Sequence, residues 1–190
     1  MEHVKGKIDF ENVKFSYVPN NLVLKGISFS TKPGEKVAIV GATGAGKSTI
    51  INLLSRFYDI DSGTIKIDDV NIYDMDLKNL RQHVAVVLQD VFLFNTTIFD
   101  NIVLGNKNIT LNEVQNAAKI IGIDSFIMSL PKGYYSEVSE RGATLSVGQR
   151  QLISFLRAYI YNPEILVLDE ATSSIDTESE ELIQKATDKL

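Results

Sequence analysis

The sequence predicts an α/β fold with a phosphate-loop core, a mixed sheet, an N-terminal antiparallel β part and an inserted α-helical subdomain. Three observations carry that prediction. Gly41-Ala42-Thr43-Gly44-Ala45-Gly46-Lys47-Ser48-Thr49 fits G-x-x-x-x-G-K-[ST]. Before it lies Lys36–Val40, an apolar run of strand length, and after it Ile50, Ile51, Leu53, Leu54, Phe57 and Tyr58 recur at helical spacing. Further on, Ile165-Leu166-Val167-Leu168 is apolar on both faces, as a central parallel strand is, and runs directly into Asp169-Glu170.

In chain order, residues 8–16 alternate apolar and polar like a half-exposed strand, with Tyr17 at the end. Leu22 to Ser30 reads as a second strand, and Lys32-Pro33-Gly34-Glu35 as a turn. These antiparallel pieces precede the glycine loop. Asp61-Ser62-Gly63 is a turn before a strand at Thr64–Asp68, and His83 to Leu88 is a short strand running into Gln89. Beyond Gln89 the pattern turns helical. Thr110 and Glu113 form a capping box, and Gly122 ends that helix. Ile123 to Leu130 is a short helix closed by Pro131 and Gly133, and 134–142 is a polar loop. Leu152, Ile153, Leu156, Tyr159 and Ile160 mark a helix from Gly148 to Ile160, stopped by Asn162-Pro163. Thr177 and Glu180 open a last helix. The expected organisation is a core at about 1–89 and 161–190 around a helical subdomain at about 90–160.

Composition narrows the class. The 190 residues are 44% apolar and 23% charged, which is globular. A net charge of −5 without a basic block argues against nucleic acid as a partner, since that needs clustered Lys and Arg. The absence of Cys excludes a disulfide frame and thiolate metal sites. No run approaches the roughly 18 apolar residues of a membrane span.

The motifs carry the chemistry. Glycines let backbone wrap an anion with no Cβ in the way. Successive N–H groups and a helix N-terminus then face phosphates, Lys47 supplies a point charge for the β/γ-phosphates, and the Ser48 hydroxyl suits Mg²⁺. The competing reading is a glycine turn that binds nothing. Two acids at the tip of a buried strand suit metal and water: Asp169 for Mg²⁺, Glu170 as acceptor of a proton from an attacking water. The competing reading is an N-cap pair on a surface loop. Leu145-Ser146-Val147-Gly148-Gln149 opens a helix, and taken alone is no more than a capped helix start.

In their order along the chain, the glycine loop, Gln89, Leu-Ser-Val-Gly-Gln, Ile-Leu-Val-Leu-Asp-Glu and Ser173-Ser174-Ile175-Asp176 resemble the nucleotide-binding domain of ABC transporters, most of all the exporter type. The resemblance covers nearly the whole chain and implies a RecA-like ATPase core. It implies ATP and Mg²⁺ as ligands, held by Gly41, Thr43, Gly44, Ala45, Gly46, Lys47, Ser48 and Thr49. Tyr17 matches the aromatic that stacks on adenine, although a strand-end Tyr covering core is the plainer reading. Gln89 matches the glutamine that touches Mg²⁺ or the lytic water. Ser146, Gly148 and Gln149 match the signature that closes over the γ-phosphate of a second domain, and Asp176 matches the D-loop aspartate. Residues 136–142 look like the exporter loop that touches the transmembrane partner. The implied partners are a second nucleotide-binding domain and a transmembrane domain, with the chain at the cytoplasmic face of the membrane.

Two departures stand out. Val147 replaces the usual glycine of the signature, and a β-branched residue restricts backbone there. The family's last strand and its histidine have no counterpart before Leu190, and His3 and His83 are elsewhere, so a truncated domain with weak turnover is expected. A soluble ABC-type ATPase of DNA repair or translation and a degenerate regulatory half-site remain as alternatives. The sequence argues against a GTPase, because Asn106-Lys107-Asn108-Ile109 fails the last position of Asn-Lys-x-Asp.

Overall fold

The computed structural model describes residues 4–88, 90–139, 142, 144–169, 181–182 and 184–185. The chain divides into two compact units, residues 1–85 and 86–190.

The first unit is built on an antiparallel sheet in the order β2-β1-β3-β4. Strands β1 (Ile8–Val18) and β2 (Asn21–Thr31) form a hairpin, and β3 (Ser62–Ile67) lies on the other side of β1. The short β4 (Val70–Asn71) pairs with β3. Phe10 faces Phe29 on one neighbour and Ile65 on the other, and the two phenyl rings stack at 4.6 Å. Alternation puts Phe10, Val13, Phe15, Leu24, Ile65 and Ile67 in the core, all buried. A bulge at Asn12, where φ is +49°, breaks the register of β1 with both neighbours. Gly63 is required beside it: its φ is +98°, and a Cβ there would meet the Asn12 carbonyl oxygen at 2.5 Å.

Helix α1 (Lys47–Leu54) follows the glycine loop and buries Thr49, Ile51, Leu53 and Leu54. It ends earlier than its apolar spacing predicts. Arg56 takes a left-handed φ of +50° and turns the chain, leaving Phe57 and Tyr58 exposed. The Arg81 guanidinium then stacks over Phe57 at 4.8 Å and donates to the carbonyls of Ser55 and Arg56. Arg81 belongs to α2 (Leu77–His83), a helix the apolar pattern does not announce because Leu80 is its one buried residue. Asp76 caps it, its carboxylate accepting from the Asn79 N–H at 3.1 Å. The predicted strand beginning at His83 is therefore β5 (Val84–Val87), with His83 closing the helix instead.

Lys36–Val40 corrects a second expectation. Among the described residues this run joins neither sheet, and Val37, Ile39 and Val40 are exposed. An apolar run states a tendency to be buried, whereas a strand also needs neighbours to complete its ladder.

Strand β5, of which Val86 and Val87 belong to the second unit, pairs with β6 (Ile165–Leu168) in a two-stranded sheet. Of β6 only Ile165 is buried and Leu168 is exposed, so burial on both faces is not what the described residues give. The second unit's fully described α-helices are α3 (Ile98–Val103), α4 (Leu111–Ile121), α5 (Asp124–Ser129) and α6 (Val147–Tyr161). The Thr110–Glu113 capping box forms in both directions, and Gly122 closes α4 at φ +84°. Residues 134–139 are less of a free polar loop than their composition indicates. Tyr134, Ser136 and Val138 are buried, and the Val138 N–H donates to the Thr96 carbonyl at 2.9 Å. The expected helix from Thr177 falls on residues of which only 181–182 and 184–185 are described, and these are helical.

Candidate functional site

The glycine loop is shaped as an anion cradle. Gly44 and Gly46 hold φ values of +81° and +95°, which other residues adopt only with strain. The Ala45 N–H turns back to the Ala42 carbonyl at 3.0 Å, and residues 41–45 are exposed. A Cβ on Gly44 would meet nothing within 4 Å, so the loop opens outward there. On its inner side Gly46 lies against the core: a Cβ would meet Leu24 Cδ2 at 2.8 Å. No side chain caps α1. Helix N-termini of that kind offer N–H groups and a partial positive charge to anions. The Lys47 Nζ lies over the loop, donating to the carbonyls of Gly41 at 2.8 Å and Ala42 at 3.2 Å. Ser48 is exposed beside it. The loop therefore brings together an outward backbone, one ammonium and the exposed hydroxyls of Thr43 and Ser48, a donor set that fits a polyphosphate.

Thr49 faces the other way. It is buried, and its hydroxyl sits 3.2 Å from the Tyr17 hydroxyl. Asn52, one turn further along α1, donates to the same Tyr17 oxygen at 3.4 Å. Tyr17 stands half-exposed at the end of β1, edge-on to Phe15 at 4.7 Å and to Tyr58 at 5.1 Å. The sequence pattern does not single out Asn52 and Tyr58 as neighbours of Tyr17; the signal available is their position on the loop's own helix and the turn after it.

In the second unit, Asp169 directly follows β6, half-buried, its N–H donating to the Val87 carbonyl at 2.9 Å. A single carboxylate of this kind suits Mg²⁺, which takes one or two protein carboxylates together with phosphates and water. Among the described residues no group of three or more His, Cys, Asp or Glu is placed to hold a metal. Ser146 and Gln149 open α6 as a reciprocal capping box. Ser146 Oγ accepts from the Gln149 N–H at 3.1 Å, and Gln149 Oε1 accepts from the Ser146 N–H at 3.0 Å. Ser146 is exposed, and its hydroxyl proton remains available to a phosphate. Val147 takes the first helical position and is exposed. Gly148 is buried in the same turn. Gln89, Glu170 and Asp176 lie outside the described residues.

Sequence reasoning missed the polar centre of this unit. Asn101 on α3 is fully buried and makes four side-chain hydrogen bonds. Arg157 on α6 donates to the carbonyls of Asn101 and Phe92 and to Asn101 Oδ1, and burial pushes its guanidinium down to about 10. Its spacing of four from Ile153 and Tyr161 was the available clue.

Loop, helix and sheets define the class: a phosphate-loop nucleotide-binding α/β protein. The family profile described as ABC transporter matches residues 24–173. An uncharacterized ABC transporter ATP-binding protein of Bacillus subtilis, YknV, is 52% identical over 97% of this chain and 31% of its own length. A Mycobacterium bovis fatty acid ABC transporter ATP-binding/permease protein is 45% identical over the whole chain and 30% of its own length. The solved structure of a bacterial Atm1-family ABC exporter with ATP bound superposes with a TM-score of 0.90 at 43% identity, covering 97% of this chain and 32% of that one. This chain belongs to the ABC transporter family, and its ATP-binding fold is that of the exporters. It spans about a third of the length of the curated relatives it matches.

Proposed function

We propose that this chain binds ATP with Mg²⁺ and hydrolyses it to power export through a transmembrane domain of the same transporter. The observation that carries the proposal is the open glycine loop on the uncapped N-terminus of α1, with Lys47 lying across it. Backbone N–H groups of 41–49 hold the phosphates, and Lys47 exchanges two carbonyl acceptors for β/γ-phosphate oxygens, which are stronger partners. Tyr17 stacks on the base. Ser48, Asp169 and Gln89 are the residues that would hold Mg²⁺; bound there, it neutralises charge that builds on the phosphate oxygens.

Hydrolysis then needs one proton acceptor. The water oxygen bonds to the γ-phosphorus while the bond to the β–γ bridging oxygen breaks. ADP leaves with that electron pair, and Glu170 takes the water's proton. One loop cannot surround a triphosphate. Ser146, Gly148 and Gln149 of a second domain complete the cage in a head-to-tail pair, with Asp176 at the same junction. ATP then acts as glue and its hydrolysis as release.

The relatives with permease in their names support a transmembrane partner. Among the described residues no helix is long and apolar enough to cross a membrane, so the span would come from that partner. The working place is the cytoplasmic face of the membrane. The acidic balance of −5 favours this over a nucleic-acid role. The core at about 1–89 and 161–190 and the helical part at about 90–160 are the working subdivision. The test is Glu170→Gln: it binds ATP with wild-type affinity and its turnover falls at least about a hundredfold. Equal turnover in both forms would remove Glu170 as the base.

A further inference from the structure

We infer that Asn52, acting with Thr49, is a positioning residue that fixes the ring of Tyr17 for a nucleotide base while its own helix carries the phosphates. The inference rests on the ATP-binding reading and adds to it the residues that set the ring.

The geometry is local and lies within one unit. Thr49 and Asn52 are three apart on α1, so they share a face. That face points away from exposed Ser48 and towards the end of β1. Both side chains meet one atom, the Tyr17 phenolic oxygen: Thr49 Oγ1 at 3.2 Å and Asn52 Nδ2 at 3.4 Å. Asn52 can only donate there through its amide, so the phenol is free to donate to Thr49. A phenol pinned at its oxygen can still spin about its long axis. That motion is opposed by two perpendicular neighbours, Phe15 at 87° and Tyr58 at 89°. Phe15 is buried and shares a strand face with Tyr17, which makes it a fixed wall. The ring's oxygen is thus pinned by the same helix whose first turn begins the phosphate cradle, and its plane is held by Phe15 and Tyr58. A ligand with a planar base at one end and a triphosphate at the other meets both supports at a fixed separation, so less ordering is left to binding. Inorganic tripolyphosphate would use the loop and ignore the ring.

The test compares these two probes by equilibrium titration on the 190-residue chain with Mg²⁺ present. Tyr17→Phe keeps the ring and removes the oxygen; Asn52→Ala and Thr49→Val remove its partners. Tyr17→Phe and Asn52→Ala each weaken ATP about three- to tenfold and leave tripolyphosphate unchanged. The double variant Tyr17→Phe/Asn52→Ala is no weaker than the worse single, because both remove one interaction. Equal losses for ATP and tripolyphosphate, or additive losses in the double variant, overturn the positioning role. Wild-type binding of both probes with unchanged variants overturns it as well and leaves the ATP reading standing. Failure of the wild type to bind either probe overturns both.

Discussion

Asn101→Ala should be among the most costly single substitutions in the helical unit. The side chain is fully buried. Its Oδ1 accepts from the Phe94 N–H at 2.8 Å and from Arg157 Nη2 at 3.0 Å. Its Nδ2 donates to the carbonyls of Phe94 at 2.9 Å and Thr97 at 3.0 Å. Alanine keeps the helix but deletes all four contacts. The Phe94 carbonyl retains the Thr96 N–H at 2.8 Å, and the Thr97 carbonyl retains the Asn101 N–H at 3.0 Å. The Phe94 N–H and one arm of the part-buried Arg157 guanidinium have no such replacement. At about 1–3 kcal/mol for a stranded buried neutral group, and more for a charged one, the loss comes to about 3–4 kcal/mol. Urea denaturation followed by far-ultraviolet circular dichroism measures it. Asn108→Ala, on an exposed residue, is the control and should stay within about 0.5 kcal/mol of wild type. A loss below about 1 kcal/mol for Asn101→Ala would refute the claim that this side chain organises α3, α6 and the segment at 92–97.

Two further outcomes follow from the same geometry. Gly63→Ala and Gly44→Ala both place a Cβ on left-handed backbone, but only Gly63 faces backbone atoms at 2.5–2.7 Å. Gly44→Ala costs about 1–2 kcal/mol of strain, and Gly63→Ala costs more; the reverse order in denaturation midpoints would contradict this. Stability should also fall on the acid side. The Ser30 hydroxyl, with Lys7, holds the Asp9 carboxyl below its usual range, and the Thr97 and Thr96 hydroxyls do so for Asp100. Depressed carboxylates stabilise the native state above the unfolded value of about 4, and that contribution is lost as pH falls through the folded values. Asp100→Asn should flatten part of this acid limb in melting curves; an unchanged limb would show that Asp100 contributes none of it.

Local signals survived the passage from sequence to structure best. The Thr110–Glu113 box, Gly122 and the Ser146 cap each depend on atoms within four residues, so the residue types were sufficient. The glycine loop and the helix that follows it were legible for the same reason. Longer-range features were not. Lys36–Val40 has the composition of a strand, yet no strand among the described residues pairs with it. Helix α1 stops at Leu54 although apolar spacing continues to Tyr58, because Arg56 turns left-handed and Arg81 covers the end from another helix. Nothing in the residue types of Asn101 and Arg157 announces a buried pairing, and only the fold shows that they satisfy one another. Thr49 was assigned to the ligand by its motif, whereas its hydroxyl meets Tyr17.

The central claim is that residues 41–49 hold a triphosphate with Lys47 as their one ammonium. Its most direct measurement is titration of Mg-ATP onto the wild-type chain and onto Lys47→Ala, with melting temperatures recorded for both. Lys47 contributes to the native loop through exposed carbonyl contacts, so its loss should leave the melting temperature nearly unchanged. ATP affinity should fall at least about a hundredfold, as expected for losing charge-assisted bonds to phosphate. Equal micromolar binding by both forms would contradict the account.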